Sequence, residues 1–523
     1  MQKSRFPWSS WRALFVLTVL WGALIFWVAP HPPMVDLAQH AGQVALLRDM
    51  LLGQSPWSEL FRINPFTPYV LGYGLALPLS MVMPVAAALK LLLSLGYVVF
   101  VFMCIKLRRE FNADPRLDWL FLLGFFGFAY KWGFFTFLIA APLGLWFILL
   151  SVRFARQPSL RRGAGIVAVG LAMLASHGLI FVFAWGVGGL LVLAAALRRG
   201  FKPLLTALLP YVLLFVACAV YFLISRHFNA GLEGGLEHGL KWRLGLLRRH
   251  VLSFAVGGNG QANSLRTFFP VFVLMAAAPW MMGLRIDWRR VSNWMPFLGV
   301  VLILALVPHF AFNTAFLYER FALFLLPAYA WMFSRPTAPA GEPAPASRLG
   351  TLGMAMMAGA CWAVLGQHTV WSWNFRQETR DFSEILSVVE PRQRALTLVF
   401  EPNSQAAKND IAYIHFPAWY QAEKQGLIDF NFAWFPPQVV RFRPDRLPTV
   451  TPGFDWKPED FKWRKHRGDD YRYFFVRRDG PLPTDFFAGA PCPPVALMTR
   501  EHWTVFERRA CGEPPGKATI ASP

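Results

Sequence analysis

Residues 84–110 read PVAAALKLLLSLGYVVFVFMCIKLRRE, and this stretch decides the fold class. Its apolar run is long enough to cross a bilayer, which takes roughly 20 apolar residues. The run ends in a basic cluster, Lys106, Arg108 and Arg109, and such clusters mark the cytoplasmic ends of membrane helices. The stretch therefore predicts a transmembrane helix whose C-terminal end faces the cytoplasm.

The preceding stretch, YVLGYGLALPLSMVM at 69–83, is also apolar enough to be a span. If it crossed the membrane, the basic cluster at 106–110 would face outward and every later loop would change sides. We therefore predict a short helix at the outer membrane interface, interrupted by prolines, which disrupt helices. These prolines are Pro65, Pro68, Pro78 and Pro84.

The composition of the whole chain agrees with a membrane protein. Of its 523 residues, 55% are hydrophobic and 15% are charged, against about 25% charged residues in soluble proteins. The net charge of +21 would suit a nucleic-acid partner. The basic residues, however, lie at the ends of apolar runs, as membrane orientation requires, and anionic lipids attract a basic surface. We expect membrane lipids as partners and no nucleic acid.

Similar apolar runs recur and predict an α-helical polytopic membrane protein with about eleven transmembrane helices. The predicted spans are 13–30, 85–106, 117–129, 134–152, 163–176, 178–197, 204–225, 268–285, 292–311, 318–334 and 349–370. The basic residues then place the N-terminus in the cytoplasm and the C-terminal domain in the periplasm of a bacterial inner membrane. The first run also resembles a signal peptide, but no small-residue cleavage site follows it.

The distribution of apolar residues predicts two domains. Residues 1–371 form a transmembrane module with outer loops at 31–84 and 226–267. Residues 372–523 have the composition of a soluble protein, and their loose alternation of helices and strands predicts a small periplasmic α/β domain.

Two of the five cysteines, Cys492 and Cys511, flank a predicted hairpin in the C-terminal domain. They are disulfide candidates if this domain lies outside the cytoplasm, and two free thiols are the alternative. The sequence contains no Walker loop, GxSxG, HExxH or metal-type Cys/His cluster. The motifs of common soluble enzymes therefore do not assign a function.

Asp36 is the first candidate for chemistry. With Gln39, His40 and Gln43 it forms a polar stripe if 36–52 is helical, because the spacings are 3, 4 and 7. A carboxylate beside a histidine on an outer membrane face suits a general base. The alternative is that Asp36 only caps the helix, since Asp is a favoured N-cap residue.

Further ionisable residues lie near the outer ends of predicted spans, where they are costly and thus candidates for function. They are His177, His309, Tyr318, Glu319 and Arg320 and, in the second outer loop, Arg248 and Arg249. The arginine fork binds phosphate oxygens, so we predict a role for this group in binding substrate or lipid phosphate. The alternatives are backbone-bonded histidines, a local Glu319–Arg320 ion pair, and loop arginines that bind lipid head groups.

The layout resembles the GT-C superfamily of membrane glycosyltransferases, in particular the bacterial protein mannosyltransferase and aminoarabinose transferase group. In that group a long outer loop with an early acidic residue follows the first span, and interfacial helices precede a second span with a basic end. Here PFTPYVLGYGLALPL (65–79) and the span at 84–110 match that arrangement. YERFALFLLPAY (318–329) is similar to the family's late span, and YRYFFVRR (471–478) to strands of its outer domains.

The resemblance implies transfer of a sugar from a polyprenyl-phosphate carrier to an envelope glycan, lipid or protein at the outer face, with inversion of the anomeric carbon. Asp36 would deprotonate the acceptor hydroxyl with support from His40, and Arg320, with Arg248 or Arg249, would stabilise the phosphate leaving group. Many members carry paired acidic residues where Asp36 stands alone, so the residues do not support a divalent metal. The alternative function is a non-catalytic scaffold or transporter in polysaccharide assembly or export, although no inverted repeat is evident.

Overall fold

The computed structural model describes residues 8–197, 199–228, 250–258, 262–311, 314–334 and 348–512. The chain divides into two compact units. The first unit comprises Met1–Phe26 and Leu91–Val370, and the second comprises Trp27–Lys90 and Trp371–Pro523.

The α-helices and strands of the described residues are numbered along the chain. The helices are α1 (Trp8–Ile25), α2 (Leu37–Leu51), α3 (Val70–Val82), α4 (Val85–Glu110), α5 (Phe128–Trp132), α6 (Phe135–Arg156), α7 (Leu160–Leu174), α8 (Gly178–Leu197), α9 (Phe201–Phe228), α10 (Leu252–Phe254), α11 (Ala262–Met281), α12 (Val291–Leu306), α13 (Leu325–Ala330), α14 (Arg348–Glu378), α15 (Arg380–Val388) and α16 (Trp419–Lys424). The strands are β1 (Phe61–Ile63), β2 (Arg285–Ile286), β3 (Phe310–Ala311), β4 (Thr314–Ala315), β5 (Phe333–Ser334), β6 (Arg394–Val399), β7 (Leu427–Ile428), β8 (Val440–Phe442), β9 (Tyr473–Arg477), β10 (Val495–Arg500) and β11 (Trp503–Glu507).

Several helices have the length and composition of membrane spans. Five are long and apolar enough, namely Val85–Glu110, Phe135–Arg156, Gly178–Leu197, Leu204–Ser225 and Arg348–Val388. Four shorter apolar helices are Ser10–Ile25, Val70–Val82, Arg266–Met281 and Val291–Leu306. The described residues thus confirm the predicted helical membrane class. The count of about eleven spans and the side of each loop stay predictions.

The predicted span 117–129 is not a single helix. It consists of 3-10 helices at Pro115–Phe121 and Gly124–Phe126, followed by α5. An added Cβ on Gly127 would lie 2.0 Å from the carbonyl oxygen of Phe254. Because Gly127 packs directly on backbone, no side chain fits at this position. Hydrophobic length alone did not predict such an irregular path.

The predicted span 318–334 is irregular for a related reason. A 3-10 helix at Glu319–Phe324 leads into α13, and the segment ends in β5. An added Cβ on Gly124 would lie 2.7 Å from the carbonyl oxygen of Leu323. The two irregular segments therefore pack backbone to backbone within the first unit.

Helix α3 occupies the apolar stretch whose membrane crossing decides the orientation. Its 13 residues rise roughly 20 Å, which is less than the roughly 30 Å of a bilayer core. This length agrees with the predicted short interfacial helix. Contrary to the prediction, Pro78 lies inside a continuous helix instead of breaking it, so the helix gives up one backbone hydrogen bond there.

The second unit contains a five-stranded mixed sheet in the order β10-β11-β9-β6-β7. Strand β6 is parallel to both β7 and β9, whereas β11 is antiparallel to β9 and β10. Helices α15 and α16 complete an α/β arrangement, as predicted. The predicted hairpin is β10–β11, and a disulfide joins Cys492 to Cys511, with their Cα atoms 5.6 Å apart.

Segment 31–84, which the sequence predicts as an outer loop, lies within the second compact unit. Strand pairing is one physical reason, because β1 pairs antiparallel with β8. Close helix packing is another, because α2 lies against α16. An added Cβ on Gly42 would lie 2.7 Å from the side-chain nitrogen of Gln421, so glycine permits this approach.

Candidate functional site

Asp36 stands immediately before α2, at the predicted start of that helix. Its side chain makes no capping hydrogen bond, so the structure does not show the capping alternative. Instead, Asp36 Oδ1 lies 2.9 Å from Nδ1 of His415, which precedes the 3-10 helix Phe416–Ala418. The carboxylate is therefore paired with an imidazole from a distant part of the same unit.

The other ring nitrogen of His415 faces a second carboxylate. Nε2 lies 3.3 Å from Oδ2 of Asp455, and Oδ1 of Asp455 accepts a hydrogen bond from Gly453 N at 3.1 Å. Asp36 and His415 are each 8% exposed and Asp455 is 6% exposed. The result is a buried row of carboxylate, imidazole and carboxylate.

The two carboxylates determine the charge of His415. Burial by itself lowers the pKa of His415, but the hydrogen bonds and charges of Asp36 and Asp455 outweigh it and raise the pKa to about 9. At neutral pH the ring is therefore an imidazolium, and each nitrogen donates to one carboxylate. Charge-assisted hydrogen bonds of this kind are stronger than those between neutral groups.

The second oxygen of Asp36 is positioned differently. Among the described residues, Oδ2 has no hydrogen-bond partner, and the Asp36 side chain is 11% exposed. Asp455, in contrast, uses both of its oxygens. Asp36 thus has one oxygen fixed by an imidazolium and one oxygen available to accept a proton.

The predicted polar stripe on α2 exists, and two of its members bind backbone groups. Gln39 Nε2 donates to Phe430 O at 3.3 Å, and Gln39 Oε1 accepts from Phe432 N at 3.1 Å. Gln43 Oε1 accepts from Val440 N at 3.0 Å. These glutamines therefore attach α2 to the segment that follows β7.

His40, predicted to support Asp36, hydrogen-bonds elsewhere. Its Nδ1 lies 2.7 Å from the Tyr73 hydroxyl, which donates to Oε1 of Gln438 at 2.5 Å. The ring of Phe432 contacts His40 edge-on, with ring centroids 5.2 Å apart, and also lies 6.0 Å from the ring of His415. The imidazole that pairs with Asp36 is that of His415.

The first unit contains the remaining predicted site residues. Glu319 pairs with His309, and Arg320 donates to the carbonyl oxygens of Phe316 at 2.9 Å and Ala315 at 2.8 Å. The Arg320 guanidinium also lies 3.7 Å from the ring centroid of Phe134. These contacts hold the Arg320 guanidinium against the backbone at the end of β4.

Two other predicted residues of the first unit are buried. Tyr318 precedes the 3-10 helix Glu319–Phe324, and Nδ1 of His177 accepts a hydrogen bond from Leu179 N at 3.3 Å. This bond matches the backbone-bonded alternative for His177. Arg248 and Arg249 lie outside the described residues.

An apolar cavity of about 270 Å³ also lies in the first unit. Helices α11, α12 and α13 line it, with Phe272, Phe297, Leu326 and Tyr329 among the lining residues. Its walls offer hydrocarbon and aromatic surface, which suits an apolar ligand.

Three ionisable residues of the second unit approach one another as metal ligands would. Among the described residues, Glu401, Asp479 and His502 place possible ligand atoms within 4.8 Å of each other. His502 pairs with Asp479, and Asp479 N donates to Glu401 Oε2 at 2.7 Å. The pKa of Asp479 is lowered chiefly by its hydrogen bond with His502. Because these contacts explain the cluster, we assign no metal to it.

The sequence did not predict His415 or Asp455 as site residues. His415 lies in the apolar stretch IAYIHFPAWY and Asp455 in TPGFDW, and neither stretch contains a recognised motif. Only the fold of the second unit brings them to Asp36.

Comparisons with known proteins give fold-level likenesses. No protein-family model matches the chain, and no curated protein matches it. Among solved structures, the arabinofuranosyltransferase AftD from mycobacteria matches with a TM-score of 0.48 at 15% identity, over 95% of this chain and 40% of that one. ArnT from Cupriavidus metallidurans, bound to undecaprenyl phosphate, matches with a TM-score of 0.43 at 12% identity, over 95% of this chain and 98% of that one.

The chain spans 40% of the length of the AftD chain. Both TM-scores are below 0.5, and neither likeness assigns a role to a residue of this chain.

Proposed function

We propose that this protein is a membrane glycosyltransferase that moves a sugar from a polyprenyl-phosphate donor to an acceptor at the periplasmic face. One observation carries the proposal. Asp36 is a buried carboxylate with Oδ1 held by His415 and Oδ2 without a partner among the described residues. A fixed carboxylate with one open oxygen is suited to remove a proton from an acceptor hydroxyl.

The proposed reaction is a single displacement at the anomeric carbon. Asp36 Oδ2 takes the acceptor proton while the acceptor oxygen forms a bond to the anomeric carbon. The bond between that carbon and the phosphate oxygen breaks, and polyprenyl phosphate leaves with the bonding electron pair. Because attack comes opposite the leaving group, the anomeric configuration inverts.

The carrier lipid follows from the membrane setting. The apolar cavity between α11, α12 and α13 of the first unit has walls suited to hydrocarbon. ArnT is described as bound to undecaprenyl phosphate, and we propose the same class of lipid here. Phosphate binding by Arg248 or Arg249 stays a prediction, and Arg320 would have to share its guanidinium with two carbonyl oxygens.

Two observations support a periplasmic location for the second unit and Asp36. Basic residues at the ends of the apolar runs favour a cytoplasmic N-terminus and an external C-terminal domain. The disulfide between Cys492 and Cys511 suits an oxidising compartment. On this orientation, the second unit and Asp36 face the periplasm.

A strain that lacks the protein tests the proposal. The strain is complemented with the wild type, Asp36→Asn or Asp49→Asn, and its lipid-linked sugars are profiled by mass spectrometry. Asp49 is a matched control because it is a buried carboxylate on α2 that pairs with Arg48 and Gln425. Equal amounts of each variant in the membrane establish that it folds.

The proposal expects the Asp36→Asn strain to accumulate the same lipid-linked sugar as the deletion strain, and the Asp49→Asn strain to match the wild type. If Asp36→Asn restores the wild-type profile that the deletion changes, Asp36 is not the base, and the result supports the alternative, a non-catalytic scaffold.

A further inference from the structure

We infer that His415 and Asp455 are positioning residues for Asp36: the imidazole, anchored on Asp455, fixes one Asp36 oxygen so that the other meets the acceptor. This inference rests on the proposed function and deepens it. It adds to the site two residues that lie far from Asp36 along the chain.

The three side chains are held in turn, beginning with Asp455 and ending with Asp36. Asp455 belongs to the 3-10 helix Phe454–Trp456, and its Oδ1 accepts from the backbone N of Gly453. Gly453 has a φ of +99°, a conformation that glycine adopts without strain. Asp455 is thus fixed to its own turn, His415 is fixed by Asp455, and Asp36 is fixed by His415.

The charge of the ring is what allows it to bind both carboxylates. A neutral imidazole has one N–H, so its other nitrogen would direct a lone pair at a carboxylate oxygen 2.9 or 3.3 Å away. Asp455 retains its bond from Gly453, whereas the Asp36 carboxylate has no second partner among the described residues. With one N–H left, the ring can donate to only one of the two carboxylates, so loss of the charge breaks the row that fixes Asp36.

His415 provides the positive charge in the group formed with Asp36 and Asp455. The titratable groups that face it are Asp36 and Asp455, and the rings of Phe430 and Phe432 lie 5.7 and 6.0 Å from its ring. Burial is the largest cause that raises the pKa of Tyr73, and the charge of Asp36 adds to the effect. Two buried carboxylates without a cation would repel each other at high cost, because charges in the protein interior are weakly screened.

If His415 and Asp455 only stabilised the fold, their replacement would have different effects from those expected of positioning residues. Five variants of the full-length protein distinguish these two roles. They are His415→Gln, His415→Lys, Asp455→Asn, Asp36→Asn and, as a matched control, His31→Gln. His31 is a buried histidine of the same unit whose Nε2 lies 2.6 Å from Glu423 Oε1, and its ring packs on Trp419 and Phe416. The control therefore removes a different buried histidine–carboxylate pair from the same unit.

The assay does not require the substrates to be identified, because membranes of the deletion strain supply them. Each purified protein is added to washed membranes of the deletion strain, which contain the accumulated lipid-linked sugar, and consumption of that lipid is followed from pH 6 to 10. Thermal unfolding of each variant is measured in parallel. The positioning role predicts a loss of about tenfold to a hundredfold in rate for His415→Gln and Asp455→Asn, with His31→Gln unchanged.

The pH profile identifies the contribution of the charge. The wild-type rate should fall as the pH rises through about 9, where His415 loses its proton. His415→Lys should retain more activity than His415→Gln and should show no fall near that pH. If His415 only stabilised the fold, its replacement would lower stability, and the lysine and glutamine variants would not differ in activity in this way.

Each outcome tests either the positioning role of His415 and Asp455 or the proposed function. If Asp36→Asn is inactive while His415→Gln and Asp455→Asn keep full rates, the inference is wrong and the proposed function stands. If His415→Lys recovers no more activity than His415→Gln, the role of the charge is wrong. If Asp36→Asn consumes the lipid at the wild-type rate, the proposed function is wrong and the inference falls with it. Should His415→Gln not fold, Asp455→Asn and the wild-type pH profile decide the question.

Discussion

Oδ1 of Asp36 lies 2.9 Å from Nδ1 of His415, a residue 379 positions later in the chain. This hydrogen bond joins the loop after the first apolar run to the C-terminal segment within a single compact unit. It also distinguishes the two oxygens of Asp36, since one is bound and the other is open. The proposed chemistry depends on that difference.

The stability of the second unit should depend on pH through His415. Its pKa is raised from 6.5 to about 9 in the folded protein. Its contribution is therefore fully present below pH 6.5 and is lost as the pH rises through about 9. The unfolding temperature of the wild type should fall between pH 7 and 10 by more than that of His415→Gln. Parallel curves for the two proteins would contradict the charged state of His415.

Gln39 should be important for the attachment of α2. Replacement by Leu removes its bonds to Phe430 O and Phe432 N and leaves two buried backbone groups without these partners. The expected cost is about 2 kcal/mol, within the range for buried polar groups that lose a partner. Chemical denaturation of the full-length protein in detergent measures this cost. The matched control is Leu52→Gln, a change at an exposed position just after α2. An equal effect of the two variants would contradict the role of Gln39.

Gly127 should tolerate no larger residue. In Gly127→Ala the new methyl group would lie 2.0 Å from the carbonyl oxygen of Phe254, so the backbone must move. We expect destabilisation of about 1–3 kcal/mol and a lower yield of folded protein in size-exclusion chromatography. Gly186→Ala is the control, because nothing lies within 4 Å of an added Cβ there and alanine favours α8. A normal yield of Gly127→Ala would contradict this close approach.

The disulfide should form in cells and stabilise the second unit. Cys492 and Cys511 are separated by 19 positions, and a loop of that size corresponds to about 3 kcal/mol. The double variant with Cys492→Ser and Cys511→Ser should unfold at a lower temperature than the wild type. Without reductant, the wild-type pair should resist alkylation. Alkylation of both thiols in freshly isolated membranes would contradict the disulfide and weaken the periplasmic assignment.

The sequence predicted elements whose signals are local. The apolar run at 85–106 corresponds to α4, and the start of α2 lies directly after Asp36. Helical periodicity and apolar length suffice for such elements because both are properties of neighbouring residues. The parallel pairing of β6 with β9 joins residues that are distant along the chain, so local signals do not predict it.

The site was harder to predict than the spans. Asp36 was singled out by its place in a polar stripe on a predicted helix, but its partners, His415 and Asp455, come from segments that carry no motif. Their roles arise from burial and from two hydrogen bonds that only the folded chain makes. The same limit applies to 31–84, because its pairing with β8 depends on a strand far along the chain.

The central claim is that Asp36 accepts the acceptor proton. The most direct measurement compares the rates at which purified Asp36→Asn and Asp49→Asn proteins consume the lipid-linked sugar in membranes of the deletion strain. Removal of a general base costs about 10² to 10⁴ in rate, so we expect Asp36→Asn to be at least about a hundredfold slower than Asp49→Asn. Equal rates for the two folded variants would contradict it.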